Sequence, residues 1–204
     1  MKDLSHYMLL AELFRYPSKE MKAYLGKWKD LILISDPELM LKFELFANHI
    51  HNKPLSFQQE YYISTFDVQA LCFLDIGYVL YGEDYKRGVF LVNIKKEQIK
   101  ASNDCGRELP DHLPNILTLL SKMQDQDLVE ELIYSILIPA VHEMILKFSR
   151  GNNLYQGLLE ILVTIMEADY PESSYERFNF GVRKKTDHFE SSSEGKDMPY
   201  GCNM

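Results

Sequence analysis

Apolar residues recur every three or four positions over most of this chain, and the pattern is clearest in its second half. One stripe there consists of Val129, Leu132, Ile133, Ile136, Leu137, Ala140, Val141, Met144, Ile145 and Phe148. This spacing places all of these side chains on one face of an α-helix. Pro139 lies inside the stripe. Because proline has no amide hydrogen and clashes with the preceding turn, we expect the helix to kink or to split there.

The same periodicity, broken by prolines and glycines, predicts further helices along the chain. They are expected to run from Leu4 to Phe14, Ser18 to Leu33, Pro37 to Asn52, Ser56 to Phe66, Ala70 to Tyr81, Glu83 to Ser102, from an entry at Pro110 and Asp111, and from Leu154 to Ile165. Alternation with a period of two, which marks strands, is absent. The sequence therefore predicts an all-α, single-domain bundle of about eight or nine helices.

Local signals refine the ends of these helices. Asp36 precedes a proline and is expected to cap a helix N-terminus, and Ser56 with Gln59 fits a capping box. Gly82 is expected at a helix C-cap. Gly88 inside a helix costs about 1 kcal/mol relative to alanine, so we expect it to mark close helix packing.

The composition changes at Tyr170. From there to Met204 the chain contains no Leu, Ile or Ala, and Val182 is the only aliphatic residue. Such a segment cannot bury enough apolar surface to fold by itself. We therefore predict a helical domain over residues 1–169 and an irregular C-terminal arm over residues 170–204, in which the segment Ser191–Lys196 is the most mobile part.

Size, charge and cysteine content narrow the class of protein. The chain has 204 residues, of which 46% are hydrophobic, a formal net charge of −8 and a pI of about 5.3. The acidic balance argues against a nucleic-acid-binding protein and suits a basic partner or simple solubility. Three scattered cysteines, no signal peptide and no long apolar segment indicate a cytoplasmic protein without a membrane span.

Motifs for catalysis or metal binding are missing from the sequence. His142-Glu143 does not continue into a HExxH motif, and His49 and His51 point in different directions on a helix. We therefore expect a protein that is not an enzyme and that needs no metal or cofactor. Asp111-His112 is the one polar pair of interest: the carboxylate orients the imidazole, or Asp111 caps the helix while His112 packs in its first turn.

Tyr62, Phe66 and Asp67 also allow two interpretations. Aromatic residues at helical spacing belong to a core more often than to a binding site. Asp67 either caps a following helix that begins near Val68 or meets a basic group of a ligand. The sequence leaves both alternatives open.

Three short segments occur in a particular order in the middle of the chain. They are Tyr62-Ile63-Ser64-Thr65-Phe66-Asp67, Lys86-Arg87-Gly88, and Glu108-Leu109-Pro110-Asp111-His112-Leu113-Pro114. Together they resemble the NarJ branch of the NarJ/TorD/DmsD family of redox-enzyme maturation chaperones, over about residues 56–120. His112 stands where NarJ-type members usually have tyrosine, the linker before Glu108 is short, and the segment after Tyr170 has no counterpart.

The resemblance implies an all-helical chaperone of the nitrate reductase assembly type. Such a protein binds the N-terminal leader of the apo catalytic subunit of a molybdenum oxidoreductase and holds it until the molybdenum cofactor is inserted. The resemblance also implies a monomer or a domain-swapped dimer. We expect the leader to contact Tyr62, Phe66, Asp67, Arg87, Glu108, Pro110, Asp111 and His112.

Two other interpretations remain open at this point. The first is a permanent, non-catalytic subunit of an oxidoreductase complex, for which the predicted arm would wrap a partner. The second is a helical enzyme acting on a small molecule, which has no support beyond Asp111-His112.

Overall fold

The computed structural model describes residues 2–35, 37–148 and 153–181. Its α-helices are α1 (His6–Ala11), α2 (Met21–Ser35), α3 (Pro37–Asn52), α4 (Leu55–Phe66), α5 (Ile76–Tyr81), α6 (Tyr85–Lys100), α7 (Leu113–Leu120), α8 (Gln126–Glu131), α9 (Ile138–Leu146) and α10 (Leu154–Asp169). A 3-10 turn, Glu12–Phe14, follows α1, and a π-helical turn, Leu132–Leu137, joins α8 to α9. No strand occurs in the described ranges, so the prediction of an all-α bundle is confirmed.

Helix α7 lies at the centre of the bundle. All eight of its residues are buried, which agrees with a sequence that is apolar around most of the helix. Helix α1 packs on α7, α2 packs on α3, and α10 packs on both α3 and α9. The largest buried side chains include Trp28, Tyr7, Tyr155 and Phe14. One core therefore connects the beginning of the chain with α10.

The predicted interruption at Pro139 takes the form of a change in helix type without a gap, since a π-helical turn passes directly into α9 there. Pro139 lies in the first turn of α9, directly after the π-helical turn. Because proline cannot donate to the carbonyl four residues earlier, the Ser135 carbonyl lacks that partner. It accepts a hydrogen bond from the backbone N–H of Phe178, at 2.8 Å. The proline thus leaves an acceptor on the helix surface that fastens the segment after α10.

The segment after α10 is irregular as far as Gly181, as predicted for this part of the arm. Tyr170, Phe178 and Phe180 pack against the core, and the ring of Phe178 lies 5.4 Å from that of Tyr81. Single aromatic side chains therefore fasten this segment to the helices. Its separation from residues 1–169 as a distinct unit stays a prediction, and Ser191–Lys196 lies outside the described residues.

The predicted helix from Ala70 to Tyr81 is wrong in its first part. Only Ile76–Tyr81 is helical, and it ends at Gly82 with a φ of +61°, as expected for that C-cap. The backbone of the preceding residues bonds elsewhere: the N–H groups of Leu71 and Cys72 donate to the Thr65 carbonyl, and the residues next to Ile76 pair with another segment. The Ile76 N–H donates to the Asp111 carbonyl, at 3.1 Å, and the Leu113 N–H donates to the Leu74 carbonyl, at 2.9 Å.

Three finer predictions about helix ends and packing are also wrong. Ser56 does not form a capping box, because α4 begins at Leu55 and the Gln59 amide donates to the Pro17 carbonyl instead. Asp67 is the C-cap of α4 and does not begin a new helix. Gly88 marks no close packing, since a Cβ built there meets no atom within 4 Å. The predicted N-cap Asp36 lies outside the described residues.

The described helices can also be compared with the requirements of a bilayer. None of them combines the length and the apolar character that a membrane-spanning helix needs.

Candidate functional site

A groove of about 770 Å³ lies where α4, the segment before α5 and the N-terminal end of α7 meet. Its lining comprises Arg15, Tyr16, Tyr62, Ile63, Phe66, Asp67, Phe73, Leu74, Asp75, Glu108, His112 and Pro114. Five residues predicted for the site, Tyr62, Phe66, Asp67, Glu108 and His112, are brought together here. Arg87, Pro110 and Asp111 do not line the groove.

Tyr62 and Phe66 serve the core as well as the groove. Both are buried, and their rings pack edge to face on each other and on Tyr155. The Tyr62 hydroxyl donates to the Phe14 carbonyl, at 3.0 Å. Burial raises the pKa of the Tyr62 phenol well above its ordinary value, so the hydroxyl remains a donor at neutral pH. These two aromatic side chains therefore form a rigid apolar floor.

Asp67 and Glu108 supply exposed negative charge at the rim of this floor. Neither carboxylate forms an ion pair within 4.0 Å or a side-chain hydrogen bond with another described residue. Their electrostatic effect nevertheless reaches the floor, because after burial these two charges contribute to the raised pKa of Tyr62. Both carboxylates are thus available to a cation that enters the groove.

Asp75 is a groove residue that the sequence analysis missed. Its carboxylate meets two cationic or potentially cationic side chains: His112 Nδ1 lies 3.0 Å from Oδ1, and Arg87 Nη2 lies 3.4 Å from Oδ2. The guanidinium of Arg87 also lies over the ring of Tyr78, with its carbon 5.1 Å from the ring centroid. Arg87 therefore contributes to the groove from behind, by holding Asp75. The sequence signal that could have identified Asp75 is its position directly before an apolar helix.

The side chain of Asp111 lies behind the residues that line the groove and does not cap α7. It is fully buried, and His112 occupies the N-cap position of α7. One oxygen of Asp111, Oδ2, accepts the backbone N–H of Gly77 at 2.8 Å, while Oδ1 has no partner among the described residues. Burial raises the pKa of Asp111, and the nearby carboxylate of Asp75 raises it further. The hypothesis of an Asp111-His112 pair is replaced by a His112–Asp75 pair.

Gly77 is the position that allows this arrangement. A Cβ built on Gly77 would lie 2.7 Å from Oδ2 of Asp111, 3.0 Å from the ring of Phe90 and 3.3 Å from Cγ of Arg87. Any larger residue would displace these neighbours, because real Cβ atoms do not approach other atoms so closely. The glycine thus places α5 against Asp111 and fixes the position of Asp75 at the helix start.

Pro110 and its neighbours hold the loop that carries Glu108. The Gln98 side-chain amide donates to the Pro110 carbonyl, at 2.8 Å, and the Asn115 amide donates to the carbonyls of Leu109 and Cys105. Asn103 and Gln98 are both buried and bonded to each other. The loop between α6 and α7 is therefore fastened by buried amides, and this fixes the backbone on both sides of Glu108.

Arg15, Tyr16 and Phe73 complete the groove and were not predicted. Tyr16 and Phe73 are exposed aromatic side chains, and the Tyr16 ring lies 5.5 Å from that of Tyr62, edge to face. Arg15 is paired with Glu12, at 2.8 Å. No sequence motif distinguishes these residues. Arg15 and Tyr16 reach the groove because the 3-10 turn before them is bonded to α4 through Tyr62 and Phe14, and Phe73 lies in the segment before α5.

A second, apolar cavity of about 400 Å³ adjoins the groove at Phe73. It is lined by Leu71, Cys72, Phe73, Tyr78, Val79, Leu80, Tyr81, Gly82, Met144 and Lys147. Burial raises the pKa of the Cys72 thiol to about 12, so this cysteine stays protonated and unreactive at neutral pH. The cavity therefore adds apolar surface beside the acidic groove.

The groove is equipped for binding a cation with an apolar part. Its lining contains three carboxylates, those of Asp67, Asp75 and Glu108, and one guanidinium, that of Arg15. Among its described lining residues there is no serine, threonine, cysteine or lysine. Over the described ranges, no group of three or more histidine, cysteine or acidic residues is arranged to hold a metal ion. Charge and aromatic surface are the chemistry that this site offers.

Comparisons with known proteins agree with the resemblance seen in the sequence. The chain matches no protein-family model. It is similar to a curated protein of Bacillus subtilis (strain 168) named "Probable nitrate reductase molybdenum cofactor assembly chaperone NarJ". The two are 25% identical over 187 residues, which cover 89% of this chain and 92% of that protein. This similarity extends well beyond residues 56–120 and supports a NarJ-like family for the chain.

Proposed function

We propose that this NarJ-like chain is an assembly chaperone for a molybdenum oxidoreductase of the nitrate reductase type. In this proposal it binds the N-terminal leader of the apo catalytic subunit in the groove and holds that subunit until the molybdenum cofactor is inserted. The similarity to the Bacillus subtilis protein supports the assembly role. The observation that carries the leader-binding part is the pair of exposed, unpaired carboxylates, Asp67 and Glu108, above the aromatic floor.

An arginine in the leader is the group that fits these carboxylates best. A guanidinium donates two parallel hydrogen bonds to a carboxylate and also stacks on aromatic rings, whereas an ammonium does neither as well. Tyr16 is exposed beside the two carboxylates and offers such a ring. Apolar side chains of the leader would cover Phe73 and the surface between α4 and α5, as amphipathic peptides do in helical grooves.

In this role the chain catalyses no reaction. Binding and release of the client are sufficient for the role, and they are expected to take place in the cytoplasm, before the client is attached to a membrane or exported. Complementary charge would speed the encounter with the leader and select against acidic sequences more than it would raise the affinity.

Co-purification under two conditions tests the proposal against a permanent structural subunit. The tagged chain is expressed with its catalytic partner in cells that make the molybdenum cofactor and in cells that cannot. A chaperone should retain the apo subunit in the deficient cells and lose it when the cofactor is present. Retention of the mature, cofactor-loaded enzyme in a fixed ratio would contradict the proposal and favour the subunit.

A further inference from the structure

Asp75 differs from Asp67 and Glu108, the other two carboxylates of the groove, because side chains of the chain itself hold it. The Arg87 guanidinium meets Asp75 from behind the lining through one long contact, with Nη2 3.4 Å from Oδ2. His112 Nδ1 lies 3.0 Å from the other oxygen. The side chain of Asp75 is nevertheless 27% exposed and lines the groove. Arg87 and a cation in the groove would therefore compete for the same carboxylate.

The contact with Asp75 uses only part of what the Arg87 guanidinium offers. A guanidinium carries five N–H donors in a planar fork and pairs best with both oxygens of a carboxylate at once. In Arg87 the donor Nε is buried and has no hydrogen-bond partner in the described part of the chain. A buried donor without an acceptor is unfavourable, because it has lost water and found no replacement. Another arrangement of this side chain could remove that defect.

An acceptor that lacks a donor lies beside Arg87. Oδ1 of the fully buried Asp111 has no partner among the described residues. Both side chains flank the same glycine, since a Cβ built on Gly77 would lie 2.7 Å from Oδ2 of Asp111 and 3.3 Å from Cγ of Arg87. Burial and the charge of Asp75 raise the pKa of Asp111, and the charge of Arg87 acts against them. The unpaired donor and the unpaired acceptor thus belong to neighbouring side chains that already attract each other.

We propose that Arg87 is a positioning residue that changes its partner when the leader binds: an arginine of the leader takes its place at Asp75, and the Arg87 guanidinium turns to Asp111. Rotation about the side-chain bonds beyond Cγ moves the guanidinium and leaves α6 in place. The charges stay balanced, because Asp75 keeps a cationic partner and the buried Asp111 gains one. The inference rests on the proposed function, since it assigns a role to residues directly behind the same groove.

The exchange makes the groove selective for leaders that contain arginine. A leader without arginine leaves Arg87 at Asp75, so Nε of Arg87 and Oδ1 of Asp111 stay unpaired. An arginine that displaces Arg87 allows these two atoms to pair with each other. A ligand shifts such an equilibrium only as far as it prefers one of the two arrangements. The pairing of Arg87 with Asp111 therefore adds to the affinity of arginine-containing leaders alone.

Proton–nitrogen NMR of the arginine side chains in the full chain tests the exchange directly. The Nε–Hε signal of Arg87 is assigned by its absence in Arg87→Lys. The probes are the N-terminal leader of the proposed client and the same peptide with each arginine replaced by glutamine. With the natural leader the signal should move downfield, and its exchange with water should slow at least about tenfold, because the proton enters a hydrogen bond. The glutamine peptide should leave the signal unchanged.

Leader affinities measured by calorimetry give a second test. Asp111→Asn keeps the shape of the side chain but removes the charge that attracts Arg87, so it should weaken binding of the natural leader about three- to tenfold and leave that of the glutamine peptide unchanged. In the background of Arg87→Met the same change should have no effect, because the coupling needs both side chains. The control is Glu160→Gln on α10, which should alter neither affinity. The Glu160 carboxylate is also paired with a cation, Lys42, and its side chain is 26% exposed, almost as much as Asp75.

Three results would overturn the inference. Binding of the natural leader with an unchanged Arg87 signal would reject the exchange and leave leader binding in the groove intact. An equal loss of affinity for both peptides in folded Asp111→Asn would show that Asp111 only supports the structure. If the unaltered chain binds neither peptide, the proposed leader site fails and the exchange fails with it. The NMR titration uses the unaltered chain, so it decides the question even if Asp111→Asn does not fold.

Discussion

Two acidic regions of this molecule use their carboxylates in opposite ways. At the end of α10, Asp169 accepts from His6 Nε2 at 2.8 Å and lies 3.2 Å from Lys2 Nζ. In the groove, Asp67 and Glu108 have no such partners among the described residues. The first region ties the beginning of the chain to α10, while the second leaves its charge exposed.

The pKa of Asp169 shows what its partners achieve. Burial by itself would raise the pKa of Asp169, but the hydrogen bond with His6 and the ion pair with Lys2 outweigh it and hold the pKa below the ordinary range. A carboxylate that is saturated in this way stabilises the fold and has little capacity left for a ligand. Unpaired carboxylates on a rigid surface have that capacity, and this is the physical basis of the proposed leader site.

The largest effect is expected behind the groove, where its wall is tightest. Gly77→Ala should lower the free energy of unfolding by about 2 to 3 kcal/mol, because the new Cβ collides with Asp111, Phe90 and Arg87. Urea denaturation measures the loss. A variant as stable as the unaltered chain would show that the contact between α5 and Asp111 is loose.

Replacing the saturated carboxylate should be next in size. Asp169→Asn should cost about 1.5 to 3 kcal/mol of stability, the range for hydrogen bonds to a charged group. Leader affinity should not change, since Asp169 is not part of the groove lining. Thermal denaturation measures the stability and peptide titration of the same sample measures the leader affinity. A loss of leader binding in the folded variant would contradict the different roles assigned to the two acidic regions.

The pH dependence of this loss follows from the direction of the shift. A folded-state pKa below the ordinary value gives stability that is present above the ordinary pKa of an aspartate and is lost as the pH falls through the lowered, folded-state pKa. The difference in unfolding free energy between the unaltered chain and Asp169→Asn should therefore be full at neutral pH and shrink in acid. Denaturation curves over a series of pH values measure it; a constant difference would contradict the assigned cause.

Removing the unpaired carboxylates should weaken leader binding and leave stability almost unchanged, the reverse of the result expected for Asp169→Asn. The double variant Asp67→Asn with Glu108→Gln should bind a labelled leader at least about tenfold more weakly, or about 1.4 kcal/mol, while stability changes by no more than about 0.5 kcal/mol. Fluorescence anisotropy measures the affinity, and the loss should shrink at high salt. The control of equal charge is Asp125→Asn with Asp127→Asn, at the exposed N-cap and first turn of α8, where asparagine can still cap the helix. An equal loss of binding there would show that the effect comes from net charge alone.

The smallest effect is expected on the open side of α6. Gly88→Ala should raise stability by up to about 1 kcal/mol, because alanine favours the helix and its Cβ meets nothing within 4 Å. It is the matched counterpart of Gly77→Ala on the neighbouring helix. If thermal denaturation showed both glycine variants to be equally destabilised, that result would contradict the difference in packing described for the two positions.

The helices were predictable because their cause is local. The spacing of apolar residues and the break at Pro139 depend only on neighbours in sequence. The segment Ala70 to Asp75 was predicted wrongly because its backbone bonds to residues outside it: Leu71 and Cys72 donate to the Thr65 carbonyl, and Leu74 accepts from Leu113, which is distant along the chain. No helical signal within the segment reveals that competition.

The site was predictable only where a side chain lies in one of the three motifs. Asp67 and Glu108 were found in this way, whereas Asp75, Tyr16 and Arg15 reach the groove through packing of elements that are far apart in sequence. Asp111 was predicted to contact the leader but is buried behind the groove lining. The sequence does not reveal this, because the burial depends on the close approach that Gly77 allows. Motif order therefore indicated the region, and tertiary contacts decided which residues face the groove.

The most direct test of the leader site is a calorimetric titration of the unaltered chain with the N-terminal leader of the proposed client, the catalytic molybdenum subunit of a nitrate reductase-type enzyme. Two control peptides are needed, a scrambled leader and a leader in which each arginine is replaced by glutamine. Binding of the natural leader in the micromolar range or tighter, abolished by scrambling and weakened by loss of the arginines, is the predicted result. Equal binding of all three peptides, or no binding of the natural leader, would contradict the account.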